Sequence, residues 1–226
     1  MRVLISGTSS GFGKYLLEKI NYSEAVNRNF EPSFYKNEHF DVIIHCAFNK
    51  TMLASSDNLY ECYNDNILLT EKLSRLNCKK FIFLSTVDVY PKKYNKAWST
   101  DDKIFFEDID NSYGKFKLLC EKIIEKNCKN YYIIRVSSLV GKYMKHNSYL
   151  KIMNEEFPKL TLSGESRFSF LEYEKVLNHI NLSITKDSIG TVNLVSDKYV
   201  ILNDLAREIN KKVNFGDHLY LTPFVK

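Results

Sequence analysis

The sequence predicts an α/β fold of the Rossmann type, a doubly wound parallel sheet with helices on both faces. Short apolar runs rich in β-branched and aromatic residues alternate with segments of helical periodicity along nearly the whole chain, as in strands joined by crossover helices. The runs are continuously apolar, so both faces of the sheet are expected to be covered. A glycine-rich turn follows the first run, where such folds commonly hold a nucleotide.

The elements follow from these patterns in chain order. Strands are predicted at Arg2–Ser6, Glu24–Arg28 (the weakest), Asp41–Ala47, Lys80–Ser85, Tyr131–Val136 and Gly190–Val195. Helices are predicted at Phe12–Ile20, 59–77, 113–127, 146–156, 174–184 and 202–212, the last with Asn203 or Asp204 as its N-cap. The polar segment Pro91–Asn111 fits neither pattern, and we expect a long connection that overhangs a site.

Composition limits the class of protein. The 226 residues are 44% hydrophobic and 26% charged, which is typical of a globular chain with one sizeable core, and we expect a single domain over residues 1–226. No run approaches the roughly 18 apolar residues of a membrane span, and the N-terminus lacks the apolar region of a signal peptide. A cytoplasmic protein without a membrane partner is therefore expected.

Charge, cysteine and histidine patterns argue against other classes of site. The net charge of +5 is mild and dispersed, so we expect no nucleic-acid partner. The five cysteines are an odd number without a C-x-x-C pair, and the histidines show no ligand spacing. Neither disulfides nor a metal site is predicted.

The segment Gly7–Gly13 reads Gly-Thr-Ser-Ser-Gly-Phe-Gly and leads from a predicted strand into a predicted helix. Residues without a β-carbon let backbone N–H groups approach a pyrophosphate, and the helix N-terminus offers the positive end of its dipole. The spacing is one residue longer than the usual dinucleotide fingerprint at its first step, and the Lys-Ser/Thr pair of a P-loop is missing. The segment predicts a dinucleotide site, with an ordinary glycine-rich turn as the alternative.

Two further signals concern proton chemistry. Tyr113 and Lys117 are four residues apart on a predicted helix and so share a face. A free phenol is a poor base at neutral pH, but a nearby ammonium stabilises the phenolate, so this pair could exchange a proton with an alcohol or ketone. A solvated helix surface is the alternative. Ser85 and Thr86 end a predicted strand, where hydroxyls point into the ligand crevice or satisfy backbone groups.

In their order along the chain, these motifs resemble extended short-chain dehydrogenases/reductases, the NAD-dependent epimerase/dehydratase family that modifies nucleotide sugars. The motifs are the glycine-rich turn, the strand at 43–47, Asn66 within a helix, Ser85-Thr86 four residues before Tyr90, the Tyr113/Lys117 pair, and the segments at 134–141, 167–173 and 191–195. Each is weak alone, but together they span nearly the whole chain.

The resemblance implies a cofactor site. Its residues, which would hold the pyrophosphate or line the adenosine side of NAD or NADP, are Gly7, Ser9, Ser10, Gly11, Phe12 (through its N–H), Gly13, Cys46 and Ala47. The acidic residue usual after the second strand is missing, and Arg28 stands there instead. Arg28 could pair with a 2′-phosphate, which favours NADP over NAD, or be an ordinary exposed arginine. The stretch 21–40 is short, so a strand and helix usual there are expected to be trimmed.

The resemblance also implies catalytic roles. Thr86 would bind the reacting oxygen of the substrate and Tyr113 would be the acid or base. Lys117 would lower the Tyr113 pKa and bind the nicotinamide ribose. Asn66 would be a supporting or backbone-satisfying amide, or a buried structural one.

The expected function is NAD(P)-dependent reduction of a nucleotide-activated keto-sugar, with Tyr113 as proton donor. The alternatives are a nucleotide-sugar epimerase or dehydratase and, further off, a non-catalytic dinucleotide sensor. Dehydratases of the family generally place an acidic pair after the catalytic Thr, and Asp88 supplies only half of it.

The resemblance further implies a homodimer, formed through the helices at 59–77 and 113–127. Family members with a full sugar-binding lobe are longer, so residues 142–226 are expected to form a reduced C-terminal substrate lobe. Its basic residues would meet the substrate diphosphate or form a solvated face: Lys142, Lys145, Lys151 and Arg167.

Overall fold

A computed structural model describes residues 1–26, 30–50, 58–94 and 96–226 of the chain. Its strands are β1 (Val3–Ser6), β2 (Ser23–Val26), β3 (Phe40–His45), β4 (Cys78–Thr86), β5 (Tyr131–Val136), β6 (Ser138–Val140), β7 (Arg167–Phe168), β8 (Phe170–Glu172), β9 (Gly190–Leu194) and β10 (Val200–Ile201). Its helices are α1 (Gly11–Lys19), α2 (Leu59–Cys62), α3 (Leu69–Ser74), α4 (Ser112–Asn127), α5 (Ser148–Asn154), α6 (Tyr173–Thr185) and α7 (Leu202–Glu208). A π-helical stretch, Tyr63–Leu68, joins α2 to α3.

Six strands form one sheet in the order β2-β1-β3-β4-β5-β9, and every pairing is parallel. The chain leaves β1 toward β2 on one side and continues with β3 on the other, so the strand order reverses at β1. Ligands of doubly wound sheets bind beyond the carboxyl ends of the strands at such a reversal. The predicted Rossmann-type α/β class is confirmed, and each of the six predicted strands overlaps one of these six; residues 27–28 of the predicted strand Glu24–Arg28 lie outside the described residues.

The sheet is covered on both faces because successive residues of each strand point to opposite sides. Val3 and Ile5 of β1 face one core, which includes Leu16 of α1 and Ile180 of α6. Leu4, between them, faces the other core, built with α3 and α4. These two cores explain why the strand sequences are continuously apolar.

The described part of the stretch 21–40 carries only β2 and a 3₁₀ turn, Pro32–Tyr35, with no α-helix. This agrees with the expected trimming. Arg28 lies outside the described residues, so its predicted role stays a prediction.

The segment 91–111 differs from the prediction that it overhangs a site. Trp98 and Ile109 are buried in a small core with Tyr90, and Trp98 forms a parallel bridge with Val225 near the end of the chain. None of its described residues lines the large cleft of the molecule. The aromatic and apolar residues in this polar stretch pack instead against Val87, Val89 and Tyr90, which follow β4.

The last helix starts at its predicted residue but without the predicted N-cap. α7 starts at Leu202 with Ile201 as its N-cap, and Asn203 lies inside its first turn. The Asn203 amide donates to Glu165 (3.1 Å), and its backbone N–H donates to the Gly164 carbonyl (2.9 Å), so tertiary contacts have replaced the expected cap. Among the described residues, no helix is both long and apolar enough to cross a bilayer.

Candidate active site

One cleft of about 1470 Å³ lies beyond the carboxyl ends of β1, β3, β4 and β5. Every described residue that the sequence predicts for cofactor binding or catalysis lines it. From the glycine-rich segment and β3 these are Gly7, Ser9, Ser10, Gly11, Phe12, Gly13, Cys46 and Ala47, and from β4 and α4 they are Thr86, Tyr113 and Lys117. Residues as far apart in the sequence as Gly7 and Lys117 are thus brought into one cavity.

The glycine-rich turn is packed too tightly to carry side chains. Gly7 has φ +78°, and a β-carbon there would lie 2.6 Å from the Ala47 nitrogen. A β-carbon on Gly13 would overlap the Gly7 carbonyl. The two glycines therefore let α1 start directly against the ends of β1 and β3, with its N-terminus facing the cleft.

This cradle fits the pyrophosphate of a dinucleotide. The N-cap residue of α1, Ser10, makes no side-chain capping bond, and first-turn N–H groups have no acceptor within a helix. The N–H of Gly11 donates instead to the Tyr143 carbonyl (2.7 Å). Of the backbone donors predicted for the phosphates, the Phe12 N–H in the open first turn is therefore the best placed.

Thr86 and Tyr113 meet because α4 begins against the end of β4. Asn111 caps α4 by accepting from the Gly114 N–H (2.7 Å), and a β-carbon on Gly114 would overlap the Asp88 carbonyl. The Thr86 hydroxyl oxygen accepts from the Asp88 N–H (3.1 Å), and the Thr86 side chain is close enough to the Tyr113 phenol to act on its pKa. A substrate oxygen that reaches Tyr113 therefore also reaches Thr86.

The Tyr113 phenol is held in its protonated form. Burial is the largest cause that raises its pKa, the neighbouring Asp88 carboxylate raises it further, and the hydrogen bond with Thr86 opposes the shift. Lys117 is not among the groups that shift this pKa, so its effect on Tyr113 stays a prediction. A protonated phenol is suited to donating a proton rather than accepting one.

Lys117 lines the cleft, but its side chain is buried beside two aromatic rings. Its ammonium donates to the Leu84 carbonyl (2.6 Å) and lies 4.8 Å from the Phe48 ring centroid and 4.5 Å from that of Phe83. Burial lowers the pKa of Lys117 to about 8. The sequence missed these aromatic partners, because the spacing of Tyr113 and Lys117 says nothing about what lies on the other side of Lys117.

Two other residues that contact Tyr113 were not predicted. The Lys50 ammonium lies 4.4 Å from the Tyr113 ring centroid, and the Phe48 ring meets the same ring edge-on at 4.9 Å. Both follow the end of β3. Their position directly after a predicted strand was the one available signal.

Asp88, in the turn that follows β4, is bonded to Tyr220 near the C-terminus. Its carboxylate accepts from the Tyr220 phenol at 3.1 and 3.3 Å and forms an ion pair with Lys92 at 3.0 Å. Tyr220 also lines the cleft. No sequence pattern singled it out, since it lies outside any regular element and 132 residues from its partner.

A buried ion pair is hydrogen-bonded to Ser85 near the end of β4. Glu121 and Arg135, both almost fully buried, are joined at 2.6 Å, and the Ser85 hydroxyl donates to Glu121. Arg135 also donates to the Tyr90 hydroxyl (2.8 Å), which donates to Asn193 (2.9 Å). Each charge is paired and hydrogen-bonded, as burial requires.

Asn66 and His45 have structural environments. The Asn66 amide accepts from the Asn49 N–H (2.7 Å) and donates to the Asn49 carbonyl (3.1 Å), so of its predicted roles the backbone-satisfying one is observed. His45 lies between the hydroxyls of Ser6 (2.6 Å) and Thr70 (2.8 Å). Burial, with a smaller effect of the Lys117 charge, lowers the pKa of His45 to about 3, so the ring is neutral.

The four basic residues expected near a diphosphate are dispersed. Lys145 lines the cleft, whereas Lys142 pairs with Glu18 (3.0 Å), Lys151 donates to the Lys159 carbonyl and Arg167 donates to the Thr222 carbonyl. Within the part of the chain that the structure describes, no group of three His, Cys, Asp or Glu side chains is placed to hold a metal ion.

Comparisons with known proteins agree with this geometry. The model of the family described as RmlD substrate binding domain matches residues 1–160. A UDP-glucose 4-epimerase of Pisum sativum is 30% identical over 118 residues, which cover 49% of this chain and 33% of the relative. The match thus spans about a third of the length of the curated relatives.

Solved structures share the fold over more of their length. A dTDP-4-dehydrorhamnose reductase of Bacillus anthracis, in complex with NADP, superposes with a TM-score of 0.80 at 19% identity, covering 96% of this chain and 84% of that one. A UDP-glucuronic acid 4-epimerase of Bacillus cereus, in complex with UDP-glucuronic acid and NAD, superposes with a TM-score of 0.79 at 18% identity, covering 99% and 88%.

Proposed function

The chain belongs to the family of the RmlD substrate binding domain, and on that premise we propose that it is an NAD(P)-dependent reductase of a nucleotide-activated keto-sugar. The observation that carries the proposal is the Tyr113 phenol, held in its protonated form beside Thr86 in the same cleft as the glycine cradle. Reduction of a carbonyl needs a proton donor at this position, and a phenol with a raised pKa stays available as one at neutral pH.

Each step by the chain's own residues follows from the geometry. Thr86 positions the carbonyl oxygen of the sugar, and Tyr113 transfers its proton to that oxygen as negative charge develops on it. The Asp88 N–H orients the Thr86 hydroxyl. A bound reduced nicotinamide would supply the hydride.

Cofactor binding is assigned to the cradle of Gly7, Gly11, Phe12 and Gly13, with Cys46 and Ala47 beside it. The tight glycine contacts and the open first turn of α1 support this assignment. The reductase and epimerase structures that share the fold are complexes with NADP and NAD. We propose NADP or NAD for this chain, with NADP favoured by the presence of Arg28 in the sequence.

Substrate contacts are assigned to residues 142–226 of a single-domain chain. Aromatic side chains of this part line the cleft, as does Lys145: Tyr149, Phe168, Phe170 and Tyr220. Apolar residues of α2 and α4, among them Leu59 (61% exposed) and Leu119 (40% exposed), are open to solvent. We propose a homodimer formed through these helices, for which sedimentation should give twice the chain mass.

A second candidate function is nucleotide-sugar epimerisation, favoured by the UDP-glucose 4-epimerase among the curated relatives. It would use the same Thr86, Tyr113 and Lys117. The cofactor that co-purifies separates the two functions, because an epimerase keeps NAD bound and a reductase exchanges its cofactor each turnover. Dehydration is less well supported, since Asp88 is engaged by Lys92 and Tyr220.

Replacing Tyr113 by Phe tests the proposal. Keto-sugar-dependent oxidation of NADPH should fall roughly 100- to 10,000-fold, since the proton donor is lost and the ring is kept. Tyr94→Phe is the matched control, because the Tyr94 phenol donates to Asp108 and lies outside the cleft lining. Turnover that survives Tyr113→Phe contradicts the mechanism, and a parent protein without turnover contradicts the catalytic function in favour of a dinucleotide sensor.

A further inference from the structure

We propose that Tyr220 is a substrate-positioning residue, held in the cleft by a latch of three side chains, Asp88, Lys92 and Tyr220. The latch ties the C-terminal segment, residues 218–222, to the turn that carries Thr86. The inference deepens the proposed function and rests on it for the identity of the substrate, a nucleotide-activated sugar.

The latch is closed by contacts between each pair of its members. The Tyr220 phenol donates to both carboxylate oxygens of Asp88 (3.1 and 3.3 Å), and the Lys92 ammonium lies 3.0 Å from the Asp88 Oδ1. The same ammonium lies 3.9 Å from the Tyr220 ring centroid, within cation–π distance. The side chains of Asp88 and Lys92 are only 15% and 22% exposed, so water screens these contacts weakly.

Asp88 connects Tyr220 to the catalytic residues. Its backbone N–H donates to the Thr86 hydroxyl oxygen, while its side chain holds Tyr220. Its charge also acts on Tyr113, and Tyr113 and Tyr220 both line the cleft. A displacement of Tyr220 would therefore change the position of Asp88, and with it the groups that hold the reacting oxygen.

The C-terminal segment delivers Tyr220 in a fixed orientation. The Tyr220 N–H donates to the Ser166 hydroxyl (3.1 Å), the Tyr220 carbonyl accepts from the Arg167 N–H (2.8 Å), and the Thr222 N–H donates to the Arg167 carbonyl (2.9 Å). The Phe168 ring, also in the cleft lining, stacks on Tyr220 at 4.7 Å. The Tyr220 side chain is ordered before substrate arrives, which is what a positioning residue requires.

The chemistry of Tyr220 fits a sugar. Binding sites combine apolar surface with a few placed polar groups, and a tyrosine offers both in one rigid side chain. Tyr220 is one end of a row of cleft-lining rings that continues through Phe168, Phe170 and Tyr149, with neighbouring centroids 4.7, 5.3 and 4.9 Å apart. The row gives the cleft an aromatic wall that ends at the residue bound to Asp88.

The test separates positioning from simple packing by comparing kcat with KM. Tyr220→Phe removes only the hydroxyl and keeps the ring, its stacking and its cation–π contact. We expect kcat for keto-sugar reduction to fall about tenfold or more, with NADPH affinity unchanged. Tyr220→Ala should also raise KM for the sugar. Tyr199→Phe is the matched control, because its phenol reaches only the Pro223 carbonyl (3.3 Å) and lies outside the cleft lining; it should leave both constants unchanged.

A direct binding measurement keeps this inference distinct from the proposed function. Calorimetry with UDP-glucose and with dTDP-glucose should show weaker binding to Tyr220→Ala than to Tyr199→Ala, whether or not the protein reduces a keto-sugar. If the parent protein reduces a keto-sugar and Tyr220→Phe matches it in kcat, the positioning role is overturned while the reductase stands. Equal affinities of the two alanine variants, or no binding of either ligand to the parent, also overturn it.

Discussion

Residues 1–136 and 137–226 are built by different means. The first part contributes β1–β5 and the buried faces of α1, α3 and α4, and its side chains form most of both sheet cores. In the second part, the strands other than β9 are two or three residues long, and isolated bridges and ring contacts hold much of the chain. The regular part fixes Thr86, Tyr113 and Lys117, while the irregular part supplies the aromatic wall that faces them.

The largest effect is expected on the stability of the first part, which contains the buried ion pair of Glu121 and Arg135. Arg135→Met leaves the Glu121 carboxylate buried and without its cation, so the free energy of unfolding should fall by about 3–5 kcal/mol. Urea denaturation at neutral pH measures it. Arg75→Met is the matched control, because its pair with Glu71 is exposed and should contribute less than about 1 kcal/mol. Similar losses in the two variants would show that burial does not set the difference.

An intermediate effect on stability and on kcat is expected where Gly114 of α4 lies against Asp88. Gly114→Ala places a β-carbon against the Asp88 carbonyl and should destabilise the fold by about 1–3 kcal/mol. Because α4 must shift, Tyr113 moves from Thr86 and kcat should fall as well. Gly190→Ala is the comparison: its φ of +102° costs strain, but its β-carbon meets open space. Gly190→Ala should keep full activity per folded molecule, and a Gly114→Ala variant with parental kcat would contradict the tight junction.

The smallest effect concerns the Asp88 carboxylate, which belongs to the first part and is bonded to Tyr220 of the second. The Asp88 carboxylate raises the pKa of Tyr113, so Asp88→Asn should lower it, and the phenol should lose its proton at a lower pH than in the parent. Since reduction needs the protonated phenol, the alkaline limb of the kcat/KM pH profile should move to lower pH. Thr86 and Cys120, the other groups that act on this pKa, keep their side chains in this variant. Asp102→Asn, remote from the cleft, should leave the limb in place, and an upward shift for Asp88→Asn would reverse the assigned sign.

The two parts also differ in how far the sequence predicts them. β5 coincides with its predicted bounds because Tyr131–Val136 is rich in aromatic and β-branched residues and is buried on both faces, Arg135 included. Thr86 and Tyr113 could be placed together because they follow a strand end and a helix start, which the topology brings to one edge of the sheet. Local pattern and tertiary position agree at these sites.

Elsewhere, local pattern carries too little information. The apolar spacing at 59–77 predicts one helix, but residues Tyr63–Leu68 adopt a π-helical form, and the Asn66 carbonyl accepts from the Thr70 hydroxyl (2.6 Å). Tyr220 lies outside the helices and strands. Its contact with Asp88 depends on the pairing of the neighbouring Leu221 with Arg167 of β7. The environment of Lys117 was missed for the same reason, since Leu84 and Phe48 come from other strand ends.

The central claim is that Tyr113 donates a proton while a carbonyl of a nucleotide sugar is reduced. The most direct measurement uses NADPH deuterated at the transferable position, a nucleotide-activated keto-sugar, and mass spectrometry of the product. The account predicts one deuterium on the new alcohol carbon for each NADPH oxidised, and near-complete loss of that product in Tyr113→Phe. An isomeric sugar formed without NADPH consumption would contradict the reductase and identify the chain as an epimerase.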